Sequence, residues 1–262
     1  MCHEGGPAFE SSATGRGDSP VAAARPALRR GDSRPQGGIV SRKPVWKVGP
    51  RLEEEEAIGD AAAVIRNGGV IIYPTETFYG LGGHPGQVSA IERIYRIKGR
   101  DSRKPLPLIA ADAAFARASA AEWPREAEKL ANAFWPGPLT LILTAACPPA
   151  STSAPPERVM LSPGVHAGTG KIAVRVSSHP VARALSSLVG GLLISTSANF
   201  SGQPPCTDPR GMPAPLLAAV DGLLDAGVLP GMLPSTIVDV SSGPPRLIRA
   251  GCLSWERVRA AL

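Results

Sequence analysis

No apolar run in this 262-residue chain approaches the roughly 20 residues that a bilayer-spanning helix needs, and its start lacks the apolar stretch of a secretory leader. No membrane association is expected. Cysteine is scarce: Cys2, Cys147, Cys206 and Cys252 lie far apart and form no C-x-x-C pair, which argues against a disulfide framework and a thiolate zinc cluster. Such usage fits a reducing, cytoplasmic setting. The histidines (His3, His84, His166, His179) show no metal-ligand spacing, so no protein-held metal is expected. There is no G-x-x-x-x-G-K-S/T loop, which excludes a P-loop enzyme. Aromatic residues make up only 5% of the chain, which weighs against a nucleic-acid-binding module.

Glycine (29) and proline (28), by contrast, are both well above ordinary usage. Part of the excess falls in residues 1–50, which have no apolar periodicity and so too little surface to bury against the entropy of ordering. That segment is expected to be a disordered tail. The net charge of +6 is also concentrated there: eight Lys/Arg against four Asp/Glu give +4, leaving 20 basic and 18 acidic residues elsewhere, or +2. A body so nearly neutral gives no electrostatic argument for nucleic acid.

From residue 51 onward the pattern alternates. Acidic Glu53–Glu56 opens a helix to Arg66; the apolar run 68–74 reads as a buried strand; Val88–Ile97 spaces its apolar residues as an amphipathic helix ending at Lys98-Gly99. Further strands are expected at 106–110, 139–144, 172–176, 192–195, 236–240 and 246–249, with helices at 122–134, 180–188, 213–220 and 254–261. Residues 148–170, rich in Pro and Ser, read as a long surface loop. This interleaving predicts one α/β domain over residues 51–262, a mixed twisted sheet flanked by helices.

Several strand ends run into clusters of hydroxyl, amide, Gly and basic residues: Y-P-T-E-T-F-Y-G-L-G (73–82), K-G-R-D-S-R-K-P (98–105), W-P-G-P-L-T (135–140), R-V-S-S-H-P (175–180), S-T-S-A-N-F-S-G (195–202), P-S-T-I-V-D (234–239) and R-A-G (249–251). Strand ends are where α/β sheets bind ligands. Each cluster also has a purely structural reading, as a turn, a cap or a solvated helix end. Together they offer the cations, hydroxyls and backbone N–H groups that a polyphosphate and a small zwitterion require.

In this order, from about Gly68 to Gly251, the clusters resemble the YrdC family, also called TsaC, the threonylcarbamoyl-AMP synthases. The family's Lys-x-Arg and Ser-x-Asn signatures stand here as Lys98, Arg100, Ser197 and Asn199. The resemblance implies a YrdC-like twisted sheet with a concave, basic cavity holding ATP beside L-threonine. It implies that Thr75, Arg175, Ser195 and Ser235 bind threonine, that Lys98, Arg100 and Ser102 face the triphosphate, and that Ser197, Asn199 and Arg249 surround the nucleotide. Lys98 and Arg100 are the implied catalytic charges, with Mg2+ arriving on ATP; Glu76 lies adjacent without an assigned role. The implied reaction joins threonine, bicarbonate and ATP into threonylcarbamoyl-AMP and pyrophosphate for a tRNA modification completed by transferase proteins. The chain resembles the short, bacterial-type form without an extra C-terminal domain. The competing reading is a non-catalytic module that grips double-stranded RNA or tRNA through phosphate contacts, and a third is a paralogue acting on another carbamoyl or acyl substrate.

Overall fold

The computed structural model describes residues 43–49, 55–146, 161–231 and 233–262. The chain runs through β1 (Val45–Lys47), α1 (Glu55–Arg66), β2 (Ile71–Tyr73), β3 (Gly80–Gly82), α2 (Val88–Lys98), β4 (Leu108–Ala110), α3 (Ala113–Ala118) and α4 (Arg125–Phe134). It continues with β5 (Leu139–Thr144), α5 (Pro163–His166), β6 (Lys171–Val176), α6 (Pro180–Leu188), β7 (Leu192–Ile194) and β8 (Thr196–Ser197). A 3-10 turn at Pro209–Gly211 leads to α7 (Ala214–Ala219), β9 (Gly222–Asp225), β10 (Thr236–Asp239), β11 (Arg246–Arg249) and α8 (Trp255–Ala260).

The α/β class with a mixed sheet and flanking helices is what the structure has, in two sheets where one was expected. A five-stranded sheet has the order β1-β9-β2-β3-β8, and a six-stranded sheet the order β11-β10-β5-β6-β4-β7. Parallel and antiparallel pairs occur in both. The buried strands are apolar on both faces because each face has its own core. In β4, Leu108 and Ala110 join one apolar cluster while Ile109 joins the other; in β2, Ile72 parts in the same way from Ile71 and Tyr73. Side chains alternate across a strand, so two covered faces yield an unbroken apolar run. Helices α1 and α6 supply Ile58, Ile65, Val181 and Leu185 to the second cluster, and α2 supplies Ile91 and Ile94 to the first.

Three expectations are corrected. Residues 43–49 do not belong to a disordered tail, since β1 pairs in parallel with β9 and Val48 N–H donates to Asp225 O at 2.9 Å. Strand pairing far along the chain offsets the entropy that local sequence could not; residues 1–42 lie outside the described residues. The supposed surface loop over 148–170 contains helix α5, with Val165 fully buried; residues 148–160 lie outside the described residues. Strands β3, β8 and β9 were not expected, because two of them are built around glycines and β8 is only two residues long.

Candidate active site

Strands β7 and β8 are consecutive in the chain but lie at the edges of different sheets, so Ser195 between them marks the crossing. The crossing is stitched on both sides: Ser195 N–H donates to Pro107 O at 2.8 Å, Ile194 N–H to Gly83 O at 3.0 Å and Ala198 N–H to Tyr79 O at 2.8 Å. At this seam lies a cavity of about 450 Å³, within the range typical of small-molecule sites. The turn after β2 contributes Thr75 and Thr77 to its walls, the five-stranded sheet Gly80 and Ser197, and the six-stranded sheet Thr140, Arg175, Ile237 and Arg249.

Each arginine is placed by an identifiable local device. Arg100 follows the end of α2, where Gly99 takes a left-handed conformation (φ 58°) and the Gly99 and Arg100 N–H groups bond Arg96 O and Tyr95 O at 3.2 and 3.1 Å. That is a Schellman turn, for which glycine is the favoured residue. Arg249 closes β11 and is tied to the entry of β10, donating from Nη2 to Ser235 O at 2.8 Å and to Ser235 Oγ at 3.1 Å. The R-A-G turn fits there because Gly251 has no Cβ, which would stand 2.1 Å from Pro234 O. Arg175 points from β6, 8% exposed, and pairs with the Glu76 carboxylate in the turn after β2.

The electrostatics of the three differ. Burial pushes the Arg175 pKa down to about 10, which leaves it charged at neutral pH. Partial burial lowers Arg249, and the positive charge of Arg100 lowers it further. Among the described residues no carboxylate pairs with Arg100 or Arg249, and no Asp or Glu lines the cavity. Cations gathered without counter-charge are a site prepared for an anion.

Thr75, Arg100, Arg175, Ser195, Ser197, Ser235 and Arg249 are brought together in the lining. Lys98 is not among the lining residues. Its ammonium, on a residue only 4% exposed, donates to Ser197 O at 2.6 Å, Asn199 O at 2.9 Å and Asn199 Oδ1 at 2.8 Å, which spends all three protons. Ser197 Oγ donates to the same Asn199 Oδ1 at 2.6 Å. The Lys-x-Arg and Ser-x-Asn motifs are thus one clip, and burial, followed by the charge of Arg100, lowers the Lys98 pKa to about 8. Asn199 lines an adjoining recess of about 290 Å³ together with Gln203, Pro205 and Cys206. Ser102, expected beside the triphosphate, is exposed outside the lining.

The Thr75 hydroxyl both lines the cavity and organises its own turn, donating to Phe78 O at 2.6 Å and accepting from Thr77 N–H at 3.2 Å. Sequence reasoning passed over Thr140, whose hydroxyl meets Ser235 Oγ at 2.9 Å, and Ser177, which bonds Glu76. Both stand inside clusters that had been singled out, but no rule of spacing marks them individually.

The family model described as "Telomere recombination", covering the Sua5, YciO and YrdC proteins, matches residues 63–251. A protein named threonylcarbamoyl-AMP synthase from Pyrococcus abyssi is 35% identical over 209 residues, 80% of this chain and 58% of the relative. One of the same name from Bacillus subtilis is 35% identical over 205 residues, 78% of this chain and 56% of the relative. The chain therefore spans less than two thirds of the length of these relatives. The solved structure of P. abyssi Sua5 complexed with L-threonine superposes with a TM-score of 0.74 at 33% identity, covering 83% of this chain and 60% of that one. A match running through both sheets and every strand that bears an arginine of the cavity places this chain in the Sua5/YciO/YrdC family.

Proposed function

We propose that the chain is an L-threonylcarbamoyladenylate synthase, a nucleotidyltransferase that converts L-threonine, bicarbonate and ATP into threonylcarbamoyl-AMP and pyrophosphate. The observation that carries this reading is a hydroxyl-lined cavity with Arg100, Arg175 and Arg249 on its wall, of which only Arg175 has a carboxylate partner among the described residues. Such a wall suits a polyanion at one end and an amino-acid zwitterion at the other. The names of the relatives and the threonine-bound P. abyssi structure support it, and favour it over an RNA-binding module.

In this reading threonine lies against Arg175 with Thr75, Ser195 and Ser235 around it, and ATP lies against Arg100 and Arg249 with Ser197 and Asn199 nearby. The threonine amine adds to carbon dioxide with loss of a proton, or to bicarbonate with loss of water, to give an N-carboxylate. One carboxylate oxygen of that species attacks the α-phosphorus, the bond to the bridging oxygen breaks, and pyrophosphate leaves with the electron pair. Two anions must meet, a repulsion that the cavity's cations offset. Arg100, with the Lys98 charge behind it, stabilises the charge that develops on the phosphoryl and bridging oxygens. Magnesium would come bound to ATP and would help to neutralise the charge on its phosphates; among the described residues no group of three or more His, Cys, Asp or Glu is placed to hold a metal ion. The product would pass to transferase proteins that place the threonylcarbamoyl group on tRNA, as expected of a cytoplasmic enzyme.

Incubation with labelled bicarbonate, ATP and each amino acid in turn tests the reading. Label should enter an adenylate with threonine and with no other amino acid to a comparable extent. ATP unconsumed in the presence of threonine and bicarbonate would overturn it.

A further inference from the structure

A buried guanidinium is costly to the fold unless its charge and its donors are answered. Arg175 has one partner among the described residues: Glu76 takes its Nη1. The second oxygen of Glu76 accepts from Ser177 Oγ, and Ser177 is fully buried. Ser177 Oγ in turn accepts from His179 N–H at 3.2 Å, where α6 begins. Glu76 is therefore gripped at both carboxylate oxygens by β6 and the turn that follows it. A carboxylate so engaged is poorly placed to take a proton from a substrate. Its effect is exerted on the arginine, whose Nε and Nη2 have no partner among the described residues while the residue lines the cavity.

We propose that Glu76 is a positioning residue that sorts the two substrates along the cavity. It fixes the Arg175 guanidinium so that the unspent edge meets the carboxylate of the amino acid. Its charge also offsets that of Arg175, which leaves Arg100 and Arg249 as the cavity's cations without a carboxylate partner among the described residues. A zwitterion with no net charge suits the compensated arginine, and a polyphosphate is drawn to the uncompensated ones. The inference deepens the synthase reading and rests on it.

The test compares the parent protein with Glu76→Gln, Glu76→Asp and Ser177→Ala, by calorimetric titration of L-threonine and by steady-state release of pyrophosphate. Glu76→Gln keeps an acceptor for Arg175 and removes the charge. It should raise the Kd and KM for threonine on the order of tenfold, as loss of a supporting partner behind a ligand-binding group does, while the KM for ATP and kcat at saturating threonine stay within about threefold. ATP should also become a competitor of threonine, since Arg175 is then uncompensated as well. Glu76→Asp should recover part of the loss, and Ser177→Ala should show a smaller loss of the same kind. A folded Glu76→Gln protein with unchanged threonine affinity, or with KM for both substrates raised alike, overturns the proposal. Should Glu76→Gln fail to fold, unchanged threonine affinity in Ser177→Ala overturns it instead. A parent that neither binds threonine nor releases pyrophosphate overturns the synthase reading itself, a result distinct from an active parent with indifferent variants.

Discussion

One arginine of the cavity is buried against a carboxylate; two others line the same cavity with no counter-charge among the described residues. Arg175 and Glu76 are 10% and 13% exposed at their side chains, and each is the condition for burying the other. Arg100 and Arg249 repel, which lowers the pKa of Arg249 beyond the effect of its partial burial. The Arg175–Glu76 pair is held together by its own charges. Arg100 and Arg249 are held against theirs by backbone devices, the Schellman turn at Gly99 and the docking of Gly251 on Pro234. Charge that the fold must hold in repulsion is charge available to a ligand.

Truncating one arginine of each kind should expose the contrast most sharply. Arg175→Ala leaves Glu76 buried without its partner and should cost about 3–5 kcal/mol of stability, read by denaturant unfolding. Arg249→Ala should move stability by less than about 1 kcal/mol, because it removes a repulsion as well as hydrogen bonds. Equal losses in the two variants would erase the distinction.

In turnover, Arg100→Ala or Lys98→Ala should lower pyrophosphate release on the order of a hundredfold with the fold intact, the usual consequence of losing preorganised charge stabilisation. Near-normal release in both would remove these two cations from the chemistry. Gly251→Ala probes Arg249 through the backbone. The new Cβ would meet Pro234 O at 2.1 Å and separate Arg249 from Ser235, so the KM for ATP should rise through Arg249 and the KM for threonine through Ser235. Unchanged values for both would show that the Arg249–Ser235 contact is no part of the site.

A further effect concerns pH. The folded pKa of Lys98, about 8, lies below its ordinary 10.5, so between those values the folded chain binds fewer protons than the unfolded one. Stability should therefore rise with pH across this window. The clip onto Ser197 and Asn199 loses its charge over the same window, so kcat/KM for ATP should fall as pH passes about 8. Bound polyphosphate favours the ammonium, which places the limb in kcat at higher pH than the limb in kcat/KM. Coincident limbs would mean that Lys98 does not sense the nucleotide.

Legibility along the chain followed the range of the forces involved. Strand β5 and helix α6 stand where the sequence placed them, at Leu139–Thr144 and Pro180–Leu188, since an apolar run after Pro138 and a proline at the first helical turn are local signals. Strand β3 was invisible because its glycines are poor strand formers. They are there for a distant reason: a Cβ at Gly82 would stand 2.6 Å from the Tyr73 ring across the β2–β3 pair. Strand β1 looked like tail because its partner β9 lies 178 positions away. In the site, the residue types and their order pointed to anion binding, but which hydroxyls face the cavity and which cations are already spent was not readable from spacing.

The sequence by itself determined the α/β alternation, through periodicity and glycine and proline stops that act within a few residues, and the stock of arginines and hydroxyls from which an anion site is built. Tertiary structure alone decided that Lys98 is consumed in a clip, that Ser102 stands outside, and that Arg175 is answered by Glu76 while Arg100 and Arg249 are left unanswered. The reason is that charge interaction falls with distance through space, and residues 99 positions apart become neighbours only when two sheets close on one seam.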